Sequence, residues 1–326
     1  MNTEEEPVNE TPEPRLALIW KFLPWAVCLV SVLVQYRSAI FSGFKQMHGG
    51  LGDARLVNFT LEHGYRWLMQ VAPHKDFWQA PIFHPFPTAS AFTDTMLGFG
   101  FPYWIFRSLG VGPHSAMQWW FISIYILNFA AAYFLLRKGL KLGISASTAA
   151  ALFVAIKSSS WGHPQLCPFF FMLIALLALF RILDSEESAP QQNGRRSWIV
   201  IFAACFVLQV WSAVYAFFFF GLLVLVALIV SLIWDKTRTA LTQVIKKDLA
   251  TWIIVCIISL MAMAPLISKY RGTAADKGYR RYSKSSIARP YSWVISQSEA
   301  FLIKGFMPKE SNKSRGSKGS KGSKRS

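Results

Sequence analysis

The sequence has little charge, since only 16% of its 326 residues are charged, against about 25% in an average soluble protein. Hydrophobic residues make up 53% of the chain, and its mean hydropathy is +0.33. Several apolar runs approach the roughly 20 residues that a helix needs to cross a bilayer. This composition argues against an ordinary soluble domain and predicts an all-α, polytopic transmembrane helical bundle.

Cysteine is also scarce, and the common catalytic signatures are missing. The four cysteines lie inside apolar runs without a CxxC spacing, so they predict neither disulfides nor a metal site. They are Cys28, Cys167, Cys205 and Cys256. The histidines form no HExxH motif, so no zinc site is expected. Walker A, GxGxxG and GxSxG motifs are absent as well, and the sequence predicts no bound cofactor.

The positive charge is concentrated in one segment. Net charge is +17, and residues 269–326 hold 15 Lys/Arg and 3 Asp/Glu, which is +12 of it. This clustering argues against nucleic-acid binding and favours contact with anionic membrane lipids. We expect a basic, largely disordered tail over 269–326, a disordered acidic tail over 1–14, and a transmembrane domain over 15–268 with an external loop at 37–87.

The apolar runs predict about seven spanning helices, or eight if residues 88–109 also cross. The run from 198 to 234 is too long for one crossing and is split near "WSAVY". The expected helices are 16–36, 115–136, 144–157, 165–183, 198–212, 215–234 and 250–268. With 88–109 outside the bilayer, the short basic loops all fall on the side of the N-terminus, which predicts a cytoplasmic N-terminus.

This topology brings three interruptions to the opposite, non-cytoplasmic side. They are the loop 37–87, the break "SSSWGHPQ" at 158–165 and the break "WSAVY" at 211–215. Irregular backbone at membrane depth is tolerated where protein or a cavity satisfies it. We therefore expect the functional groups of the chain on this face.

The first external loop contains "DARLVNFTLEHGYRWLMQ", which predicts an amphipathic helix lying on the membrane surface. Asp53 at its start is either a helix N-cap or a catalytic base or metal ligand. Glu62 and Arg66, four residues apart, form either an exposed ion pair or part of a substrate site. His63 has no partner at metal spacing and is expected at the surface or at the membrane interface.

The break "WGHPQ" carries the second group of candidates, Trp161, His163 and Gln165. His and Gln suit the binding of a sugar or phosphate, with the tryptophan as a stacking face. The alternative is an interfacial aromatic belt with a helix-capping loop.

The order of these features resembles the GT-C superfamily of bacterial membrane glycosyltransferases over roughly residues 20–300. A first helix is followed by "GDARLVNFTLEH", then "FWQAPIFHPFPTASAFTDTMLG", "LNFAAAYFLLRKGLKLGISASTAAALF" and "SSSWGHPQLCPFFFMLIALLAL". The resemblance implies a polyprenyl-phosphate-linked sugar donor, transfer at the outer face of the bacterial inner membrane, and an acidic general base in the first external loop. The matching residue is Asp53. A divalent metal is possible in such enzymes.

Chemistry alone adds Arg55, Arg66 and His163 as candidates for contacting the donor phosphate. Two features depart from the family pattern: Asp53 is followed by Ala54 where many members have a second acid, and the chain is short. We therefore expect a chain that is truncated at its C-terminus. The alternatives are a non-catalytic membrane protein, which either binds or transports a lipid-linked glycan or is an inactive truncated relative, and a secondary transporter.

Overall fold

The computed structural model describes residues 14–48, 52–83, 85–159, 163–184 and 192–277. All the regular secondary structure in these ranges is helical, which confirms the all-α prediction. The eleven α-helices of the described residues are α1 Pro14–Gln35, α2 Arg37–Phe41, α3 Asp53–Leu68, α4 Phe101–Ser108, α5 Pro113–Phe134, α6 Ile144–Ser158, α7 Phe170–Asp184, α8 Gln192–Val210, α9 Val214–Ile233, α10 Asp235–Lys247 and α11 Leu249–Lys277. Each of the seven apolar helices expected from the sequence is present, and the predicted break at 211–215 separates α8 from α9.

Four helical stretches are long and apolar enough to cross a membrane: Pro113–Gly139, Pro164–Asp184, Val214–Ile233 and Leu249–Asp276. Two shorter apolar helices accompany them, Trp20–Gln35 and Ile144–Ser158. The chain is therefore an integral membrane protein. The count of seven spans remains a prediction, since α8 begins with a polar turn of Gln, Asn, Gly and two Arg.

The segment 88–109 contains only a 3₁₀ turn at Ala89–Phe92 and the eight-residue helix α4. A helix of eight residues is about 12 Å long, so it does not cross a hydrocarbon core of about 30 Å. Gly98 explains part of this irregular path. A Cβ added there would lie 2.2 Å from the carbonyl oxygen of Leu208, and the Gly98 amide donates to Trp211 O at 3.2 Å. The segment is held against the break between α8 and α9.

The core surrounds α5, which packs against α4, α6 and α7. Its largest fully buried side chains include Trp120, Phe121, Tyr125 and Phe129. Close packing of such side chains, the main source of helix association in lipid, fixes the centre of the bundle. Helices α9 and α11 leave most of their apolar side chains exposed, as expected for surfaces that face lipid.

The bundle has a basic end, where α10 crosses the ends of α7 and α8. Val244 of α10 is fully buried against Ile182 and Ile199. Asp248, between α10 and α11, accepts from Arg195 at 2.5 Å and from Arg196 at 3.0 Å. Burial alone would raise the pKa of Asp248, but these two arginines lower it below its usual range. Helix α10 was not predicted, because its sequence is polar and too short for a span.

Helix α11 continues to Lys277, so the first nine residues of the predicted, largely disordered tail are helical. Two contacts hold this extension. Tyr270 donates to the carbonyl oxygen of Thr93, and Thr273 shares a 2.9 Å hydrogen bond with Thr88. The predictions for residues 1–13 and for the tail after Lys277 lie outside the described residues.

Candidate active site

The three interruptions expected on one face meet at the same end of the bundle. Asp53, from the first loop, contacts His163 in the break after α6. Trp78, from the same loop, packs its ring 6.1 Å from that of Trp211 in the break after α8. The convergence inferred from the sequence is confirmed in the structure, and the side of the membrane on which it lies remains a prediction.

Asp53 is the first residue of α3, and its carboxylate is hydrogen-bonded to His163 and Gln165. The N-cap position is Gly52, and α3 has no side-chain cap hydrogen bond. The N-cap alternative for Asp53 is therefore wrong. A carboxylate in the first helical turn still benefits from the helix dipole, but its hydrogen bonds go to another part of the chain.

One oxygen of this carboxylate receives two hydrogen bonds from the break after α6. His163 Nδ1 lies 2.6 Å from Asp53 Oδ2, and Gln165 Nε2 donates to the same oxygen at 3.0 Å. The Asp53 side chain is 39% exposed and that of His163 is 63% exposed. Three residues proposed independently from the sequence thus form one cluster, which we call the Asp53 cluster.

The cluster keeps Asp53 ionised. The hydrogen bond from Gln165, followed by that from His163, lowers the pKa of the Asp53 carboxyl below its usual value. Burial opposes this effect only weakly, because the group is partly exposed. A carboxylate that is charged and open to a ligand can orient a cationic or hydrogen-bonding group, or accept a proton.

Asn128 fixes the segment that carries His163 and Gln165. This fully buried side chain of α5 donates to Ser158 Oγ and to Cys167 O, each at 2.8 Å. Its oxygen accepts from the Phe169 amide at 2.8 Å. The two ends of the break are therefore tied to one amide inside the bundle. The sequence analysis missed Asn128, although a lone asparagine in a long apolar run is a usable signal.

Glu62 and Arg66 are not brought to Asp53, because nine residues of helix place Glu62 about 13 Å further along α3. The expected ion pair is present, with Arg66 Nε 2.8 Å from Glu62. The pair is not simply exposed, since Glu62 also accepts from Arg107 at 2.7 Å and from Tyr103 at 2.8 Å. Burial would raise the pKa of Glu62, but the hydrogen bonds from Arg107, Arg66 and Tyr103 lower it. This network ties α3 to α4.

The remaining predicted site residues are placed as follows. Arg55 is exposed, and its side chain makes no hydrogen bond or ion pair within the part of the chain that the structure describes. Trp161 lies outside the described residues. No group of three His, Cys, Asp or Glu side chains that could hold a metal ion occurs among the described residues. Asp53 and His163 would supply two ligands, so the residues present do not make a complete metal site.

The prediction of a surface His63 is wrong. His63 is only 1% exposed, and its Nε2 lies 2.8 Å from the carbonyl oxygen of Phe77. Its Nδ1 lies 2.8 Å from Nδ1 of His74. Because a carbonyl only accepts, Nε2 of His63 carries the proton and Nδ1 accepts from His74. Helix α3 accordingly packs against α4 and α5 with Val57 and Leu61 buried, where the sequence predicted a lipid surface.

A second acid, Asp94, lies near the third interruption. Its Oδ1 accepts from the Val214 amide at 2.8 Å, at the first residue of α9. Burial raises the pKa of Asp94 above its usual range, and the hydrogen bond from Val214 offsets part of this. Asp94 therefore fixes the start of α9. The sequence analysis did not single it out, because no local motif marks a cap supplied from another segment.

Comparison with known proteins gives one family match. The model of a domain of unknown function, DUF6311, matches residues 73–305. The matched region includes His163 and Gln165 and begins after Asp53. No curated protein and no solved structure matches the chain.

Proposed function

The chain belongs to the DUF6311 family, and we propose that it is a membrane glycosyltransferase that transfers a sugar from a polyprenyl-phosphate-linked donor. The observation that carries the proposal is the Asp53 cluster, an ionised and partly exposed carboxylate held by His163 and Gln165. Transfer of a sugar to a hydroxyl requires a group that removes the hydroxyl proton. The cluster supplies that group either as Asp53 itself or as His163 held by Asp53.

An apolar groove beside the cluster supports a lipid-linked donor. The groove has a volume of about 420 Å³ and runs between α7 and α9. Leu166, which follows Gln165 in the sequence, lines this groove. Its other lining residues include Phe169, Leu173, Phe219 and Leu223. An isoprenoid chain seated there would leave its phosphate near the exposed side chain of His163.

The proposed topology is a GT-C-like bundle of seven spanning helices in a bacterial inner membrane, with a cytoplasmic N-terminus. The basic end of the bundle supports this orientation, since Lys/Arg-rich loops favour the cytoplasm. The Asp53 cluster lies at the opposite end, which the proposal places at the outer face. A donor carried by a polyprenyl phosphate is accessible there.

The test uses bacterial membranes that contain the full chain. Radiolabelled polyprenyl-phosphate hexoses and pentoses are added one at a time, and the label that leaves the lipid-extractable fraction is measured. We expect faster loss than in membranes without the chain, for at least one donor. Asp53→Asn should lower this rate by about 10²- to 10⁴-fold.

Asp184→Asn is the matched control, because it makes the same chemical change at an acid paired with Lys141, away from the Asp53 cluster. It should leave the rate unchanged. A wild-type rate in Asp53→Asn would refute the role of Asp53, and no loss of label from any donor would refute the activity. A donor that stays intact while bound would favour the second candidate, a lipid-glycan binding protein, for which the apolar groove is the specific support.

A further inference from the structure

The proton-transfer role inside the Asp53 cluster follows from which groups can donate and which can accept. An ionised carboxylate only accepts hydrogen bonds. The nitrogen of His163 that faces Asp53 Oδ2 at 2.6 Å, Nδ1, must therefore carry a hydrogen. In the neutral imidazole this leaves Nε2 without one, as a lone-pair acceptor. The side chain is 63% exposed, so Nε2 is accessible to a ligand.

Gln165 holds the carboxylate in this arrangement. Its Nε2 donates to Asp53 Oδ2 at 3.0 Å, because an amide oxygen facing a carboxylate would be repelled. The amide oxygen Oε1 is consequently buried without a hydrogen-bond partner among the described residues. One oxygen of Asp53 thus receives both hydrogen bonds, and its orientation toward His163 is fixed.

We propose that Nε2 of His163 accepts the proton of the acceptor hydroxyl, and that Asp53 is a positioning residue that fixes the tautomer of His163. This inference rests on the proposed function and assigns the proton acceptor within the same site. The lowered pKa of Asp53 agrees with this division, since a carboxylate with a low proton affinity is a weak base but a good partner for an imidazolium.

The proposed transfer moves one proton and exchanges one bond at the anomeric carbon of the sugar. The acceptor hydroxyl gives its proton to His163 Nε2, and its oxygen forms a bond to the anomeric carbon of the sugar. The bond between that carbon and the phosphate oxygen breaks, and its electron pair leaves with the polyprenyl phosphate. The imidazolium is stabilised by the Asp53 carboxylate and then releases its proton to water, to which the exposed ring has access.

The first test measures the tautomer without any substrate. The full chain is labelled with [¹⁵N]histidine and reconstituted in lipid, and the His163 signals are identified by their absence from His163→Gln. In the neutral state of the wild type, Nδ1 should carry the hydrogen and Nε2 should be bare. In Asp53→Ala no acceptor faces Nδ1, so the hydrogen should move to Nε2. Asp184→Ala, the matched control, should retain the wild-type tautomer.

A hydrogen on Nε2 in the wild type, or the same tautomer in Asp53→Ala and wild type, would overturn the proposal whether or not the chain transfers sugars. Both side chains are at least partly exposed, so these variants should fold, and an unchanged melting temperature checks it.

The second test is chemical rescue in the transfer assay. His163→Gly removes the base and leaves room for a small molecule, so added imidazole should restore at least a tenth of the lost rate. Imidazole should not rescue Asp53→Asn, whose own imidazole remains in place. Rescue of Asp53→Gly by formate, with no rescue of His163→Gly by imidazole, would make Asp53 the direct base and overturn the assignment. Absence of transfer in the wild type refutes the proposed function instead, and leaves the tautomer result to decide the geometry.

Discussion

Replacement of Asn128 by leucine tests whether one buried amide holds the segment that carries His163. Asn128 makes three hydrogen bonds of 2.8 Å to Ser158, Cys167 and Phe169. A hydrogen bond contributes about 1 kcal/mol net in proteins and about 0.6 kcal/mol on average between membrane helices. The substitution also removes one donor to the Cys167 carbonyl and the acceptor of the Phe169 amide. We therefore expect the segment to lose about 2–4 kcal/mol of stability.

The assay is alkylation of Cys167, whose side chain is only 2% exposed, followed by peptide mass spectrometry. If labelling requires local opening, a loss of about 2–4 kcal/mol increases its rate roughly 30- to 700-fold, since each 1.4 kcal/mol is a factor of ten.

Gln209 is the matched control for this experiment. It is also a fully buried amide, but neither side-chain polar atom has a hydrogen-bond partner among the described residues. Gln209→Met should leave stability unchanged or raise it slightly. Methionine is similar in size to glutamine, and the substitution removes an unsatisfied polar group. Equal labelling of Cys167 in wild type and Asn128→Leu, or an equal cost for both substitutions, would refute the reasoning.

Three further predictions concern the network, the buried histidines and the orientation. Glu62→Gln should lower stability by about 2 kcal/mol, because it removes the charge that faces Arg107 and Arg66, and an unchanged melting temperature in detergent would contradict this. Burial lowers the pKa of His63 and of His74 below the ordinary 6.5. The unfolded chain therefore binds more protons than the folded chain near pH 6. Stability should be constant above pH 6.5 and fall as the pH drops below it. A melting temperature that increases when the pH is lowered from 7 to 5 would contradict this prediction. In a background without the native cysteines, His163→Cys should react with an impermeant maleimide in intact cells and Asp184→Cys only after permeabilisation, and the reverse pattern would invert the topology.

The helices were predictable because their sequences are long apolar runs. In lipid, a single run of this kind pairs all its backbone N–H and C=O groups only as a helix. Helix α10 escaped prediction, since its short polar sequence contains no apolar run and only Val244 among the buried residues of one cluster joins it to α7 and α8. The path of residues 88–100 depends on tertiary contacts of Gly98 and Asp94, which leave no local pattern.

The candidate site was partly predictable for a different reason. Asp53, His163 and Gln165 are polar residues at interruptions of apolar helices, and the alternation of spans placed those interruptions at one end. Glu62 and Arg66 are also polar residues in the first loop, yet the structure directs them to Arg107 and Tyr103. Periodicity shows which side chains share a helix face, but it does not show which neighbour that face meets.

The central claim is that Asp53 and His163 act as one unit in sugar transfer, and a double-mutant cycle on the transfer rate tests it most directly. Asp53→Asn, His163→Gln and the double variant are compared in the same membrane assay, with the amount of each protein matched. Residues that act as a unit are non-additive, so the double variant should be no slower than the slower single variant. A loss in the double variant equal to the product of the two single losses would contradict the account.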